Sequence, residues 1–339
     1  MIDLRSDTVT RPTQAMLEAM YEAPLGDDVF QEDPSILNLE DEAARLLGAE
    51  AALFCPSGTM TNQIALKVHT QPGEEIIAHE LSHIFNYEGG GPAFNSGCQV
   101  RPVSGPRGKM AASSVSGAIQ NPTDIQAAPT RLVVAENTTN KGGGACYTLD
   151  ELRAIREVCD QHDLQFHLDG ARLWNALETQ QQDPQVYGTI FHSISVCLSK
   201  GLGCPVGSLL LGSHSFIQRA RRIRKRLGGG MRQAGMLAAA GHYALEHHRK
   251  RLGEDHQRAQ ALAGALENCA WVQSVDPVET NIVIFYLREE YAVEKFSHFL
   301  KEQGILHTTM GQGKLRMVTH LDIDDAAVDK VIRSLQHLS

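Results

Sequence analysis

The strongest constraint on the fold is a series of short apolar runs that have no polar face. Ala51-Ala52-Leu53-Phe54-Cys55, Ile76-Ile77-Ala78, Arg131-Leu132-Val133-Val134-Ala135, Gln165-Phe166-His167-Leu168, Ser193–Leu198 and Gly207–Leu211 recur along the first two-thirds of the chain. They are too short for buried helices and lack the alternation of a half-exposed strand, so each reads as a strand covered on both faces. Helical spacing fills several of the gaps: Leu37–Leu47, stopped by Gly48; Thr59–His69, followed by the Pro72-Gly73 turn; and Leu149–His162, with Thr148 as its cap. This alternation predicts an α/β chain built on a mostly parallel sheet sandwiched by helices. Ligands bind such sheets at the carboxyl ends of the strands. That rule singles out Ser57, His79, Glu136, Asp169 and Lys200.

After the Ala-rich segment Met231–Arg251, expected to be one long helix, the texture changes. Short strands are expected at Val272–Val275, Asn281–Leu287, Ile305–Thr309 and Lys314–Val318, alternating with helices at Glu290–Gln303 and Ile323–Leu338. A chain of 339 residues suits one large and one smaller domain. We expect a large domain over 1–250, with the N-terminal segment contributing to its site, and a small C-terminal α+β domain over 251–339.

A net charge of −9 argues against a general nucleic-acid binder. No apolar run approaches the roughly 20 residues that cross a bilayer, and Met1–Asp7 lacks the apolar region of a signal peptide. The seven cysteines form no Cys-x-x-Cys pair and read as reduced thiols. A cytoplasmic protein with a small-molecule substrate, and without nucleic-acid or membrane partners, is expected.

Several motifs need weighing. His79-Glu80-Leu81-Ser82-His83 matches H-E-x-x-H, but a strand leads straight into His79, whereas zinc ligation needs both histidines on one helical face. No metal is expected. Arg219–Arg226 carries six cations in eight residues and reads mainly as a solvated helix face, with a few of them free to reach a ligand phosphate. The glycine turn Gly228-Gly229-Gly230 follows. Pro56-Ser57-Gly58-Thr59 leaves a strand and opens a helix, where free N–H groups and the helix dipole attract an anion. Neither G-x-G-x-x-G nor a P-loop is present. Asp169-Gly170-Ala171-Arg172 is followed, 31 positions after Asp169, by Lys200 in Leu198-Ser199-Lys200-Gly201. A desolvated lysine forms a Schiff base, and a buried carboxylate holds a pyridinium nitrogen protonated. With an anion cradle at Ser57–Thr59, these are the fixtures that pyridoxal 5′-phosphate requires.

Several blocks in one order carry a wider resemblance: Leu4–Thr10, Gly26–Val29, Ser57–Asn62, His83–Phe85, Glu136–Thr138, His167–Arg172, Ser199–Gly201, Gly229–Gln233 and Arg316–His320. Through nearly its whole length the chain resembles the low-specificity L-threonine aldolases, fold-type I pyridoxal-phosphate enzymes of the aspartate-aminotransferase superfamily. The resemblance implies retro-aldol cleavage of L-threonine, L-allo-threonine and other β-hydroxy-α-amino acids to glycine and an aldehyde. A β-eliminase of the same fold is the alternative. It implies that Lys200 carries the coenzyme, that Asp169 pairs with its ring nitrogen and that His83 stacks on the ring near the substrate hydroxyl. Ser57, Gly58 and Thr59 bind phosphate, helped by Lys225 and Arg232 of a neighbouring subunit. Ser6, Arg172 and Arg316 hold the substrate carboxylate, Arg172 also contacting the cofactor, and Tyr87 lines the same pocket. It further implies a homotetramer, a dimer of dimers with shared active sites. One position departs from the pattern. Where many relatives carry a second pocket histidine this chain has Gln126, and a glutamine cannot serve as a general base at neutral pH.

Overall fold

The computed structural model describes residues 1–337. Its central sheet holds seven strands: β1 (Ala51–Cys55), β2 (Glu75–His79), β3 (Gln99–Val103), β4 (Thr130–Glu136), β5 (Gln165–Gly170), β6 (Ser193–Cys197) and β7 (Ser208–Gly212), in spatial order β1-β7-β6-β5-β4-β2-β3. Only β7 runs against the others. The interior strands β2, β5 and β6 are buried almost end to end, as expected for a sheet covered on both faces.

The expected strands form where the apolar runs place them. The sequence missed β3, Gln99-Val100-Arg101-Pro102-Val103, because it pairs only with β2 and is half-exposed. An edge position tolerates the proline and the charge that hide it from a hydrophobicity reading. The expected helix at Leu37 begins earlier, at Pro34, where Asp33 caps the N–H of Ile36 at 3.1 Å, and it ends on Gly48 in the left-handed conformation.

Met231–Arg251 is not one helix. Residues 231–234 turn, a helix runs over Gly235–His247, and a second covers Leu252–Glu267. Asp33 explains the late start, because its carboxylate accepts the N–H of Gly235 at 2.9 Å and pins the first turn. The expected strand Ile305–Thr309 is split, because the chain changes partner there. Ile305–Leu306 pairs in parallel with Ile2–Asp3, while Thr308–Thr309 pairs with the strand Lys314–Val318. The two remaining helices are shorter than expected, Val293–Glu302 and Asp325–Gln336. Leu338, the expected end of the last, lies outside the described residues.

Beyond the central sheet, Val272–Val275, Ile282–Leu287, Thr308–Thr309 and Lys314–Val318 form a four-stranded antiparallel sheet. It has its own apolar core, which includes Trp271, Phe285, Phe296 and Val331 and also takes in Leu4 from the start of the chain. Docking of Ile2–Leu4 against this second sheet carries Ser6 and Asp7 to the carboxyl ends of the central strands.

Candidate active site

A cavity of about 400 Å³ opens at those strand ends. Ser6, His83, Tyr87, Glu136, Asn140, Arg172, Lys200 and Arg316 all line it, drawn from both sheets and from the N-terminal segment. Lys200 sits three residues beyond β6, in a loop closed by the N–H of Gly203 donating to the Lys200 carbonyl at 2.8 Å.

Asp169 lies near the end of β5, almost fully buried. Its Oδ2 accepts from Asn62 Nδ2 at 2.9 Å and its Oδ1 from the N–H of Ala171 at 3.2 Å. The same Asn62 amide donates to Glu88 Oε1 at 2.8 Å, and Glu88 Oε1 accepts from His83 Nδ1 at 3.0 Å. With its amide nitrogen committed to two carboxylates, Asn62 turns its oxygen to His167 Nε2, 3.2 Å away. That assigns the His167 tautomer, and burial pushes this histidine down to about 4, so it is neutral. Burial also works against a charged His83. The Glu88 hydrogen bond and the Asp169 and Glu136 charges outweigh it and raise His83 above its usual value.

Glu136 ends β4. Its Oε2 accepts the N–H of His83 at 2.6 Å and its Oε1 the N–H of Asn140 at 2.7 Å. Burial first, and the nearby Asp169 charge second, push Glu136 up to about 7. Across the cavity, Arg172 donates through Nε and Nη2 to the two oxygens of Asp7, each at 2.7 Å. Burial alone would raise Asp7; the Arg172 guanidinium reverses that and holds the carboxyl far below its usual range. Arg316 donates to Asn140 Oδ1 at 2.8 Å and to the Arg5 carbonyl at 3.0 Å. Its Nε is buried without a partner among the described residues.

Not every sequence candidate reaches the cavity. Ser57 caps the helix Gly58–His69, accepting the N–H of Met60 at 3.2 Å, and with Gly58 and Thr59 it forms the first turn beside the cavity rather than its lining. Lys225 and Arg232 also lie outside the lining, and Arg232 pairs with Asp27 at 2.9 Å. Gln126 is exposed on a loop, its N–H bonded to Asp124 at 2.9 Å. The H-E-x-x-H pair does not share a helix. His79 ends β2, its Nδ1 accepting the N–H of Leu81 at 2.9 Å while Nε2 donates to the Gly105 carbonyl at 3.1 Å. In the basic run, Arg224 is buried against Asp28 at 2.6 Å and Arg221 pairs with Glu40 at 2.6 Å, so part of that run is structural rather than solvated.

Sequence reasoning marked Glu136 only as a strand-end position, assigned no role to Asp7 or Asn62 although both stand inside the motif blocks, and passed over Glu88 and Asn140 entirely. Asp7, Asn62, Glu136 and Asn140 each act on a group far away in the chain, and Glu88 gains its role when the fold brings Asn62 to it, so only the folded structure exposes these roles.

The residues present fit pyridoxal 5′-phosphate. The cavity offers an amine at Lys200, and a buried carboxylate at Asp169 lies within 4.8 Å of a ring nitrogen of His83, which lines the same cavity. The N–H groups of Gly58 and Thr59 precede the first intrahelical bond. A Cβ on Gly58 would stand 2.6 Å from Cys197 Sγ, and the buried Ser208 Oγ, 3.6 Å from that point, has no hydrogen-bond partner among the described residues. Glycine therefore lets the helix start sit directly against the ends of β6 and β7, with its free N–H groups and an unpaired hydroxyl close together.

Fold and site together define a pyridoxal-phosphate-dependent enzyme of fold type I. Residues 3–290 match the family model described as beta-eliminating lyase. The chain is 42% identical to the low specificity L-threonine aldolase of Escherichia coli (strain K12), covering 95% of each chain. It is 40% identical to low-specificity L-threonine aldolase 1 of Arabidopsis thaliana, covering 99% of this chain and 95% of that one. The solved structure of Leishmania major threonine aldolase superposes with a TM-score of 0.86 at 22% identity, over 100% of this chain and 99% of that one. The chain belongs to the beta-eliminating lyase family and, within it, to the low-specificity L-threonine aldolases.

Proposed function

We propose that this cavity performs retro-aldol cleavage of L-threonine and L-allo-threonine, and of other β-hydroxy-α-amino acids, to glycine and an aldehyde. The observation that carries this reading is the meeting of one amine, Lys200, with two guanidiniums, Arg172 and Arg316, across a cavity that also holds His83. When bound, pyridoxal phosphate supplies an electron sink for the pair left on Cα as Cα–Cβ breaks. Lys200 would hold it covalently, Asp169 would keep its ring nitrogen protonated, and Ser57, Gly58 and Thr59 would take its phosphate, with Lys225 and Arg232 reaching in from a neighbouring subunit.

The chain's own groups do the rest. Arg172 and Arg316, with the Ser6 hydroxyl, bind the substrate carboxylate and fix which Cα bond is aligned for cleavage. Arg316 Nε is a buried donor still short of an acceptor, as a waiting carboxylate site requires. His83 donates its Nδ1–H in a hydrogen bond to Glu88, so in the neutral ring Nε2 is the nitrogen available to take the β-hydroxyl proton. Tyr87, with its ring centroid 5.8 Å from that of His83, bounds the side-chain end.

The same reading includes a homotetramer, a dimer of dimers with shared sites, and a division into domains at 1–250 and 251–339. Tyr21, Phe30 and Phe94 are 90%, 68% and 90% exposed, apolar surface that a second copy would cover. The dispersed cysteines, all seven of them free thiols, support a cytoplasmic location.

Lys200→Ala tests the assignment. The purified variant should lose the visible absorbance of covalently held coenzyme and at least about 10³-fold in kcat. A variant that keeps colour and turnover would remove Lys200 from its role. Product analysis separates the two lyase readings, because glycine plus acetaldehyde marks the aldolase and pyruvate plus ammonia the β-eliminase.

A further inference from the structure

Two cations sharing a cavity repel each other and would be expected to swing apart toward separate carboxylates. Here they do not. Arg172 is anchored by Asp7, but among the described residues Arg316 pairs with no carboxylate and donates to neutral oxygens, those of Arg5 and Asn140. Asn140 Oδ1 stands between the two guanidiniums, 2.8 Å from Arg316 Nη1 and 3.5 Å from Arg172 Nη1. We propose that Asn140 is a positioning residue for the reaction, setting the spread of Arg172 and Arg316 so that one α-carboxylate is gripped by both. The proposal rests on the reading that these arginines take the substrate carboxylate.

The chemistry explains why an amide stands there. A carbonyl oxygen has two lone pairs and can serve two donors at once. Being neutral, it aims both guanidiniums without discharging either, so the attraction for an anionic ligand survives. An aspartate would fit the same space, but it would occupy the charges the substrate needs. Asn140 is itself held, because its backbone N–H donates to Glu136 Oε1, whose other oxygen takes the N–H of His83. One buried carboxylate thus ties the carboxylate-binding end of the cavity to the hydroxyl-facing end. The spacing between the two ends of a β-hydroxy-α-amino acid is fixed there.

The test compares Asn140→Asp and Asn140→Ala in the holoenzyme. Both should raise KM for L-threonine by about tenfold or more, the cost of misdirecting a charged hydrogen bond. The kcat should change less than about threefold, and the visible spectrum of bound coenzyme should be retained. The inhibition constant of glycine should rise in parallel. That of methylamine, which has no carboxylate, should stay put, and a general structural defect would move both. Unchanged KM and glycine inhibition in the two variants would overturn the proposal, as would a loss confined to kcat. Arg316→Lys separates this outcome from a failure of the underlying reading. If it raises KM while the Asn140 variants do not, only the role of Asn140 falls. If Arg316→Lys and Arg172→Lys both leave KM and glycine inhibition unchanged, the carboxylate assignment itself is wrong.

Discussion

The proton affinity of His83 is set by its neighbours. Burial drives its pKa down; the Glu88 hydrogen bond and two further carboxylates drive it back up, and they win. Glu88 in turn stays in place because Asn62 and Gln63 donate to its two oxygens at 2.8 and 2.6 Å. Glu88→Gln removes the charge but keeps the shape, so the His83 pKa should fall and the acid limb of the kcat/KM–pH profile should shift to lower pH. An acid limb that stays where it was would mean the profile reports some group other than His83. At this scale the sequence revealed the chemistry-bearing residues Lys200, Asp169, His83, Arg172 and Arg316, because amines, imidazoles and guanidiniums at strand ends stand out. It did not show Glu88 or Asn140, because an acid or an amide is conspicuous only through the group it faces.

Among the elements, the helix Gly58–His69 carries the tightest constraint. Its first residue passes so near Cys197 that no side chain fits, and its last turn presents His69 Nε2 to Ser193 Oγ at 2.8 Å on β6. Gly58→Ala should push the helix start away from β6 and weaken coenzyme affinity by about tenfold, a modest loss for displaced backbone donors. Equilibrium dialysis of coenzyme against the apo variant measures it, and wild-type affinity would show that the turn at Ser57–Thr59 is not the phosphate cradle. The buried strands were legible because apolar residues on both faces mark them. The edge strand Gln99–Val103 was not, and neither was the break at residues 231–234. That break depends on Asp33, about 200 positions earlier in the chain, and helical spacing carries no trace of so remote a cap.

Across the whole molecule, the buried Asp7–Arg172 pair joins the N-terminal segment to the central sheet, and Asn281 Nδ2 on the C-terminal side also donates to Asp7, at 3.2 Å. Removing one partner of a buried pair costs about 3–5 kcal/mol. Asp7→Asn should therefore lower the unfolding free energy by roughly that amount in denaturant melts. The sign with pH follows from the depressed Asp7 carboxyl. Its stabilisation is present above the ordinary aspartate range and is lost as the pH falls through the lowered value, so the wild-type chain should show an acid-side decline that the variant lacks. Equal stability of the two proteins across pH would show that the pair does not hold the segment.

Residues 2–4 add their strand to Ile305–Leu306, some three hundred positions downstream. On a ribosome, residues 2–4 emerge some three hundred positions before their partner and must wait for it before they find their berth. Lysine 200 and aspartate 169 are made long before then. Completion of the catalytic chamber therefore waits on residues 305–306, and nascent chains stalled short of residue 300 would lack Ser6 and Arg316 in place, however well their first sheet had formed.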